Sequence, residues 1–462
     1  MHTGRRRERA RTPPPHGGWQ RLAAALVLLG AGSMPALAQL GLPSMPGPQL
    51  PGFEPPFGVD RQLERVERHA QAARDLPSVA ARRLKMRTLA RTHRDRLELN
   101  RAGELMVRDE VLAIAPDAEL IARARQAGFV VLRERTLPDL DIAVVVLQPP
   151  AGMRTEEALE RLRALDPNAR LDFNHIYLDA GASDGASPVD TDAAPGAVQD
   201  GGKAVASGRV GLIDGGIDTG ASLLRQARIR TWGCGGRPVA SPHGTAVASL
   251  LVGQTAGFAA AASGMTLYAA DVYCDAATGG AVETIAEAFA WLASQRVAVI
   301  NVSLVGPPNR LLAQVVDRLM ARGHVVVAAV GNDGPAAPPL YPAAYPGVVG
   351  VTAVDGRRRV LPEAGRGPHV SFAAPGADLV AASADGYTVV RGTSYAAPVV
   401  AGLLAARAGE PASDGARQAL SALVATATDL GSPGRDPIFG HGLVGERLRL
   451  DPDRLDHLPR RQ

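Results

Sequence analysis

The sequence holds only two cysteines, Cys234 and Cys274, and only two lysines, Lys85 and Lys203, in 462 residues. At most one disulfide can therefore form within the chain. Arginine carries nearly all the positive charge, and the formal net charge of only +4 comes largely from the arginines before residue 105. That balance implies no nucleic-acid partner, and the arginine excess reads as compositional bias. No apolar run reaches the roughly 18 residues that a stable membrane span needs. Gly215-Gly216 follows a short apolar run but lacks the G-x-G-x-x-G spacing of a dinucleotide site, and no internal repeat is evident. Asn301-Val302-Ser303 is formally a glycosylation sequon, yet it falls in an apolar run that reads as a buried strand.

What is present starts at 1–38 with the pattern of an export signal: Arg5, Arg6, Arg7, Arg9 and Arg11, then Leu22 to Leu29, then Ala36-Leu37-Ala38 before Gln39. An amphipathic arm kept in the mature protein is the alternative. Export places the chain in the periplasm or outside the cell, where an even pair of cysteines favours a Cys234–Cys274 disulfide over two buried thiols. Prolines at 43, 46, 48, 51, 55 and 56 make 39–59 an extended spacer. The basic segment 60–103 reads as one or two solvated helices interrupted near Pro77, with no chemistry assigned.

From 104 to 178 the texture changes to strand 110–114, helix 118–126, strands 129–133 and 142–147, helix 155–165 and strand 171–177. That is the βαββαβ order of a small ferredoxin-like α+β unit. Residues 179–208, rich in Gly, Ala, Ser and Asp, form an exposed linker. Beyond 209, the β-branched runs 210–213, 266–272, 297–304, 325–330 and 348–354 alternate with helical stretches such as 282–294 and 310–322. Continuous hydrophobicity means burial on both faces, hence an α/β, doubly wound parallel sheet with helices on both sides over 209–448. A tail, 449–462, ends the chain.

Chemistry concentrates in four stretches. Gly392-Thr393-Ser394-Tyr395-Ala396-Ala397-Pro398 sets a serine at a helix N-terminus, with Pro398 expected in the first turn. Alone it suits a capped buried helix better. Val210 to Asp214 delivers a carboxylate at a strand end, His243-Gly244-Thr245 opens a small-residue helix, and Val330-Gly331-Asn332-Asp333-Gly334 follows another strand. With acid, base and nucleophile in this order, residues 210–445 resemble the subtilisin-like serine peptidases.

The resemblance implies a serine endopeptidase acting on proteins or peptides: Ser394 as nucleophile, His243 as base, Asp214 holding the imidazole, and Asn332 with the Ser394 N–H as oxyanion donors. It also implies that 104–178 is an inhibitory, folding-assisting propeptide, that cleavage falls in the linker, and that the chain is a monomeric zymogen with its own propeptide as inhibitor. Ser303-Leu304-Val305-Gly306, with Ala329 and Gly331, matches the substrate-binding strand and pocket. The family usually has glycine where this chain has Val305; facing the pocket, that valine narrows it to small or slender residues, and turned aside it leaves the pocket wide. The family often has a cis proline where Tyr341-Pro342 stands.

Three positions depart from the family. Gly215 replaces a Ser or Thr that supports the acid, Ala246 replaces a second histidine, and Leu251 to Ser263 offers no carboxylate for a calcium loop. No metal and no cofactor are assigned. Gly215 and the long prosegment keep open a second expectation, a non-catalytic binding protein with its propeptide permanently docked. With the family's terminal stretch at Phe439 to Val444, no room is expected for a membrane barrel or downstream binding domain.

Overall fold

The computed structural model describes residues 79–180, 187–188, 208–237, 239–255, 258–384 and 386–449. The export signal, the proline-rich spacer, residues 60–78, most of the linker and residues 450–462 lie outside the described residues. Helix α1 (Val79–Thr92) comes first, followed by β1 (Leu97–Leu99), β2 (Leu105–Ile114), α2 (Ala118–Gln126), β3 (Val130–Leu137), β4 (Ile142–Gln148), α3 (Thr155–Leu165) and β5 (Leu171–His175). The strands lie antiparallel in the order β5-β2-β4-β3, with β1 against the first residues of β2. This is the ferredoxin-like arrangement.

Local chemistry explains these elements. The Asp117 side chain accepts from the Leu120 N–H at 2.7 Å and starts α2. Along the strands, Val111, Ala113, Val145 and Leu147 face α2 and α3, whereas Leu112, Ile114, Val144 and Val146 face the other way. Alternation of period two buries both faces of this sheet.

The larger unit is built on a parallel sheet of seven strands among the described residues: β7 (Arg209–Asp214), β8 (Arg228–Trp232), β9 (Thr266–Asp271), β10 (Val299–Val302), β12 (Val325–Ala329), β13 (Val349–Val354) and β14 (Val370–Pro375). Their order is β14-β13-β12-β10-β7-β9-β8. A two-residue strand, β11 (Leu304–Val305), follows β10 and leaves the sheet to pair with β6 (Leu178–Asp179). Helices α4 (Pro242–Val252), α7 (Thr393–Ala408) and α8 (Ser413–Thr426) pack on one side, and α5 (Val282–Ser294) and α6 (Arg310–Ala321) on the other. Every residue of β10, β12 and β13 is buried, which is why these strands read as unbroken apolar runs.

The two units share one core. Leu112, Ile114, Val144 and Val146 of the small sheet belong to the same apolar cluster as Ile285, Phe289, Leu312 and Val316 of α5 and α6. Polar groups fix the docking. Helix α5 starts at Ala281, which has no side-chain acceptor, and Asn174 of β5 accepts from the Glu283 N–H instead, at 3.3 Å. Asp172 accepts from the Arg310 N–H at 2.7 Å at the start of α6. Arg133 donates to Glu110 within the small sheet and to Glu283 across the interface.

Cys234 and Cys274 are joined by a disulfide, with their Cα atoms 5.2 Å apart, and Tyr341-Pro342 is cis. The bridge links the turn after β8 to the turn after β9. It closes a separation of 40 residues, for which loop-entropy arithmetic gives about 4 kcal/mol. The double substitution Cys234→Ser/Cys274→Ser is expected to lower the unfolding free energy by about 2–4 kcal/mol. Denaturant unfolding with an unshifted midpoint would contradict this.

Candidate active site

Asp214 is the last residue of β7, almost fully buried, and His243 is the second residue of α4. Ser241 caps that helix, accepting from the Gly244 N–H at 2.9 Å, and Pro242 takes the first helical position, where its missing N–H costs nothing. With the helix start so fixed, His243 Nδ1 lies 2.8 Å from Asp214 Oδ1. The Gly215 N–H donates to the same oxygen at 2.7 Å. Glycine at 215 has a steric reason: a Cβ there would come within 2.4 Å of Ser241 Oγ, so a serine or threonine would displace the helix cap. Burial disfavours the charged imidazole, but the charge and hydrogen bond of Asp214, with the charge of Asp179, outweigh it and hold His243 above the ordinary histidine range.

Ser394 is the second residue of α7, after Gly392 at φ 139°, and is fully buried. Its N–H belongs to the first helical turn, where no carbonyl four residues earlier is available. Pro398 is not in that first turn, as the sequence suggested, but is the sixth helical residue. Lacking an N–H, it leaves the Ser394 carbonyl without its helical hydrogen bond. The Ser303 hydroxyl replaces the bond, donating to that carbonyl at 2.9 Å while accepting from Asn301 Nδ2 at 2.9 Å.

Asn332 lies just beyond β12, and its Oδ1 accepts from the Thr393 N–H at 3.1 Å. That bond turns Nδ2 into the cleft, where it donates to the carbonyl of Ala180. His243 Nε2 and Ser394 Oγ are buried and have no hydrogen-bond partner among the described residues. A base and a hydroxyl thus stand in one cleft, both with free capacity; contacts of this kind commonly tighten only when the reacting group is engaged.

The chain itself fills the cleft. After β5, Ile176 forms an antiparallel bridge with Ala281, the Tyr177 N–H donates to the Gly280 carbonyl at 2.8 Å, and Leu178 and Asp179 pair with Val305 and Leu304. The Ala180 N–H then donates to the Ser303 carbonyl at 2.9 Å. Tyr177 is fully buried, its hydroxyl donating to the Pro307 carbonyl and its own carbonyl accepting from Tyr273 Oη at 3.1 Å. Gly306 lies flat beneath its ring, since a Cβ there would come within 2.5 Å.

Of the pocket residues, Val305 is buried, with Cγ1 at 3.6 Å from where a Cβ on Gly331 would stand, and Leu340 Cδ1 closes the same gap. Ala329 is fully buried in the apolar cluster that also holds Val305. The Ser303 hydroxyl is spent on the Ser394 carbonyl, and the Ser303 carbonyl on the Ala180 N–H. Among the described residues, the group of His, Cys, Asp and Glu atoms close enough to share a metal ion is Cys234, Asp271 and Cys274, whose sulfurs are already bonded to each other.

Two walls of the cleft escaped sequence reasoning. Gly280 and Tyr273 line the second edge, and the signal available was the Gly279-Gly280 pair just before α5. Helix α1 was expected to be solvated and without chemistry. It instead turns Arg82, Met86, Leu89 and Ala90, spaced along one helical stripe, away from solvent.

Residues 208–442 match the model of the subtilase family. Subtilisin DY of Bacillus licheniformis is 33% identical over 252 residues, which cover 51% of this chain and 88% of that protein. The subtilisin of Bacillus pumilus is 33% identical over 211 residues, 44% of this chain and 75% of its own length. Among solved structures, fervidolysin from Fervidobacterium pennivorans superposes with a TM-score of 0.60 at 20% identity over 76% of this chain and 62% of that one. At that identity the likeness bears on the fold alone.

The electrostatics of His243 are open to measurement by NMR titration of its imidazole in the Ser394→Ala chain. The midpoint is expected above the ordinary histidine range, so the neutral, proton-accepting form returns only as pH rises through that raised value. Asp214→Asn removes a charge that favours the imidazolium and should move the midpoint down; an unmoved midpoint would contradict the coupling.

Proposed function

The chain is a serine endopeptidase of the subtilase family, and on that footing we propose that Asp214, His243 and Ser394 form its catalytic triad in an exported zymogen that cuts itself after Ala180. The observation that carries this reading is the position of Ala180. Its N–H is on the Ser303 carbonyl and its carbonyl is on the Asn332 amide, so its carbonyl oxygen rests on the group that an oxyanion would need.

In the proposed reaction His243 Nε2 takes the Ser394 proton as Oγ attacks the carbonyl carbon of Ala180. The oxygen gains a negative charge, held by Asn332 Nδ2 and the Ser394 N–H. Asp214 keeps the imidazole in the required tautomer and stabilises the imidazolium. Collapse of the tetrahedral intermediate breaks the Ala180–Gly181 bond, and the leaving amine takes the proton from His243. Water, deprotonated by the same imidazole, then hydrolyses the acyl-enzyme. The small sheet with residues 176–180 is accordingly the propeptide, acting as an intramolecular inhibitor in the manner of an added strand. Export agrees with the disulfide, which suits an oxidising compartment, and no helix among the described residues is long and apolar enough to cross a membrane.

The experiment that tests this is labelling with a fluorophosphonate probe. Wild type is expected to be labelled at Ser394 and to yield a mature chain starting at Gly181. Ser394→Ala is expected to be unlabelled, inactive and uncut, and equal labelling of both would refute the assignment. Asn332→Ala should retain labelling capacity but lose about 3–4 kcal/mol of transition-state stabilisation, a magnitude established on a subtilisin, a relative of this chain.

Leu340 close against Gly331, with Val305 in ordinary contact beside it, supports a narrow pocket for the residue before the scissile bond, and Ala180, in one apolar cluster with Val305 and Ala329, is small enough for it. Peptide-library profiling is expected to give Ala, Val or Leu at this position in wild type and to admit Phe and Tyr in Val305→Gly, since overpacking costs about 1–3 kcal/mol. A wild-type preference for large aromatics, unchanged by the substitution, would exclude the narrowed pocket.

A further inference from the structure

Helix α1 lies outside the ferredoxin-like unit, yet it touches the cleft at three places. Met86, Leu89 and Ala90 pack in one cluster with Leu97, Leu105 and Val107 of the small sheet, with Ile176 and Leu178 of the cleft-bound segment, and with Ala281 of the cleft wall. Side chains alternate along an extended segment, so Ile176 and Leu178 turn to α1 while Tyr177 between them is buried against Gly306. Arg82 Nη2 donates to the Val305 carbonyl at 3.2 Å, and its Nη1 lies 3.5 Å from the carboxylate of Asp333, the residue after Asn332. Lys85, one of two lysines in the chain, bonds Asp179 at 2.9 Å.

The two ionic contacts are unequal. Lys85 and Asp179 remain 44% and 36% exposed, so water screens their pair. Arg82 and Asp333 are only 13% and 15% exposed, and Arg82 also grips the strand on which the segment is paired. Burial raises Asp333 above the ordinary carboxylate range while Arg82 opposes that rise, so losing Arg82 leaves a half-desolvated acid beside the oxyanion amide.

We propose that α1 is a clamp, in which Arg82 and Lys85 are positioning residues that hold residues 176–180 in the cleft before and after the Ala180–Gly181 bond is cut. The inhibitor then extends upstream of the ferredoxin-like unit, and the cleaved segment leaves slowly because its end is covered as well as paired. This rests on Ala180 being the site of self-cleavage. It adds to that reading a second layer, a helix over the inhibitory strand, whose removal frees the cleft without unfolding the small sheet.

The test uses full chains carrying Ser394→Ala, in which the segment stays uncut. Amide hydrogen exchange at Leu178 and Ala180 is expected to speed up about tenfold or more in Arg82→Ala/Lys85→Ala, because truncating a buried charge pair acts chiefly on release. Amides of β2 and β4 should be unchanged. Unaltered exchange at 178 and 180 would overturn the clamp. If the double substitution loosens the whole small unit, a charge swap decides: Lys85→Asp alone should speed exchange at Leu178, and Lys85→Asp with Asp179→Lys should restore it. No restoration would equally overturn the proposal. Exchange is read on a chain without its nucleophile, so the outcome is independent of peptidase activity, which the fluorophosphonate probe reports separately. In the self-processing chain, Arg82→Ala/Lys85→Ala should also shorten the lag between cleavage and hydrolysis of added peptide.

Discussion

The carbonyl of Ser394 has no amide to receive within its own helix, because Pro398 stands where the donor would be, and the Ser303 hydroxyl fills that position. The cleft depends on this one hydrogen bond. Ser303 holds the Ser394 backbone with its side chain and the segment's backbone, at Ala180, with its carbonyl. One residue therefore spaces α7 from the peptide that lies before it. Asn301, fully buried behind, orients the hydroxyl by occupying it as a donor. A proline inside a helix would normally cost about 3 kcal/mol, and the cross-element bond offsets part of that while fixing α7 to β10 and β11.

The small unit is held by a different balance of forces. Its sheet supplies apolar side chains to a cluster it shares with α5 and α6, while Asn174 and Asp172 satisfy helix-start amides. Those amides would otherwise need water, so docking exchanges solvent bonds for protein bonds and gains chiefly from the buried apolar area. The segment that follows β5 inherits this placement. It enters the cleft as a strand because the sheet before it is already anchored on both helices.

Much of this was legible in the sequence. Asp214, His243 and Ser394 each stood at a strand end or helix start, and unbroken β-branched runs marked the central strands. The bounds of α2, α3 and α5 were legible to the residue, since their apolar spacing is helical and their flanks are turn-forming. The edge strands were not. Residues 228–232, Arg-Ile-Arg-Thr-Trp, alternate with charge because one side meets solvent, and 370–375 ends in a proline that only a strand terminus tolerates. Gly215 looked like a lost hydrogen bond, but the space for a hydroxyl is taken by Ser241, a neighbour 26 positions away that no local pattern reveals. The role of α1 was hidden for the same reason. Its stripe of Arg82, Met86, Leu89 and Ala90 is a weak amphipathic signal, and what it meets is set by tertiary contact.

The pairing of Lys85 with Asp179 turns the poverty of lysine into a reporter. An amine-reactive dye can attach through a side chain only at Lys85 and Lys203, one on each side of the Ala180–Gly181 bond. Lys85 keeps enough exposure to be reached, and its contact with Asp179 keeps part of the side chain covered. The colour gained at that position would therefore read the state of the helix over the cleft in an unaltered sequence, without an engineered cysteine competing with the Cys234–Cys274 bridge.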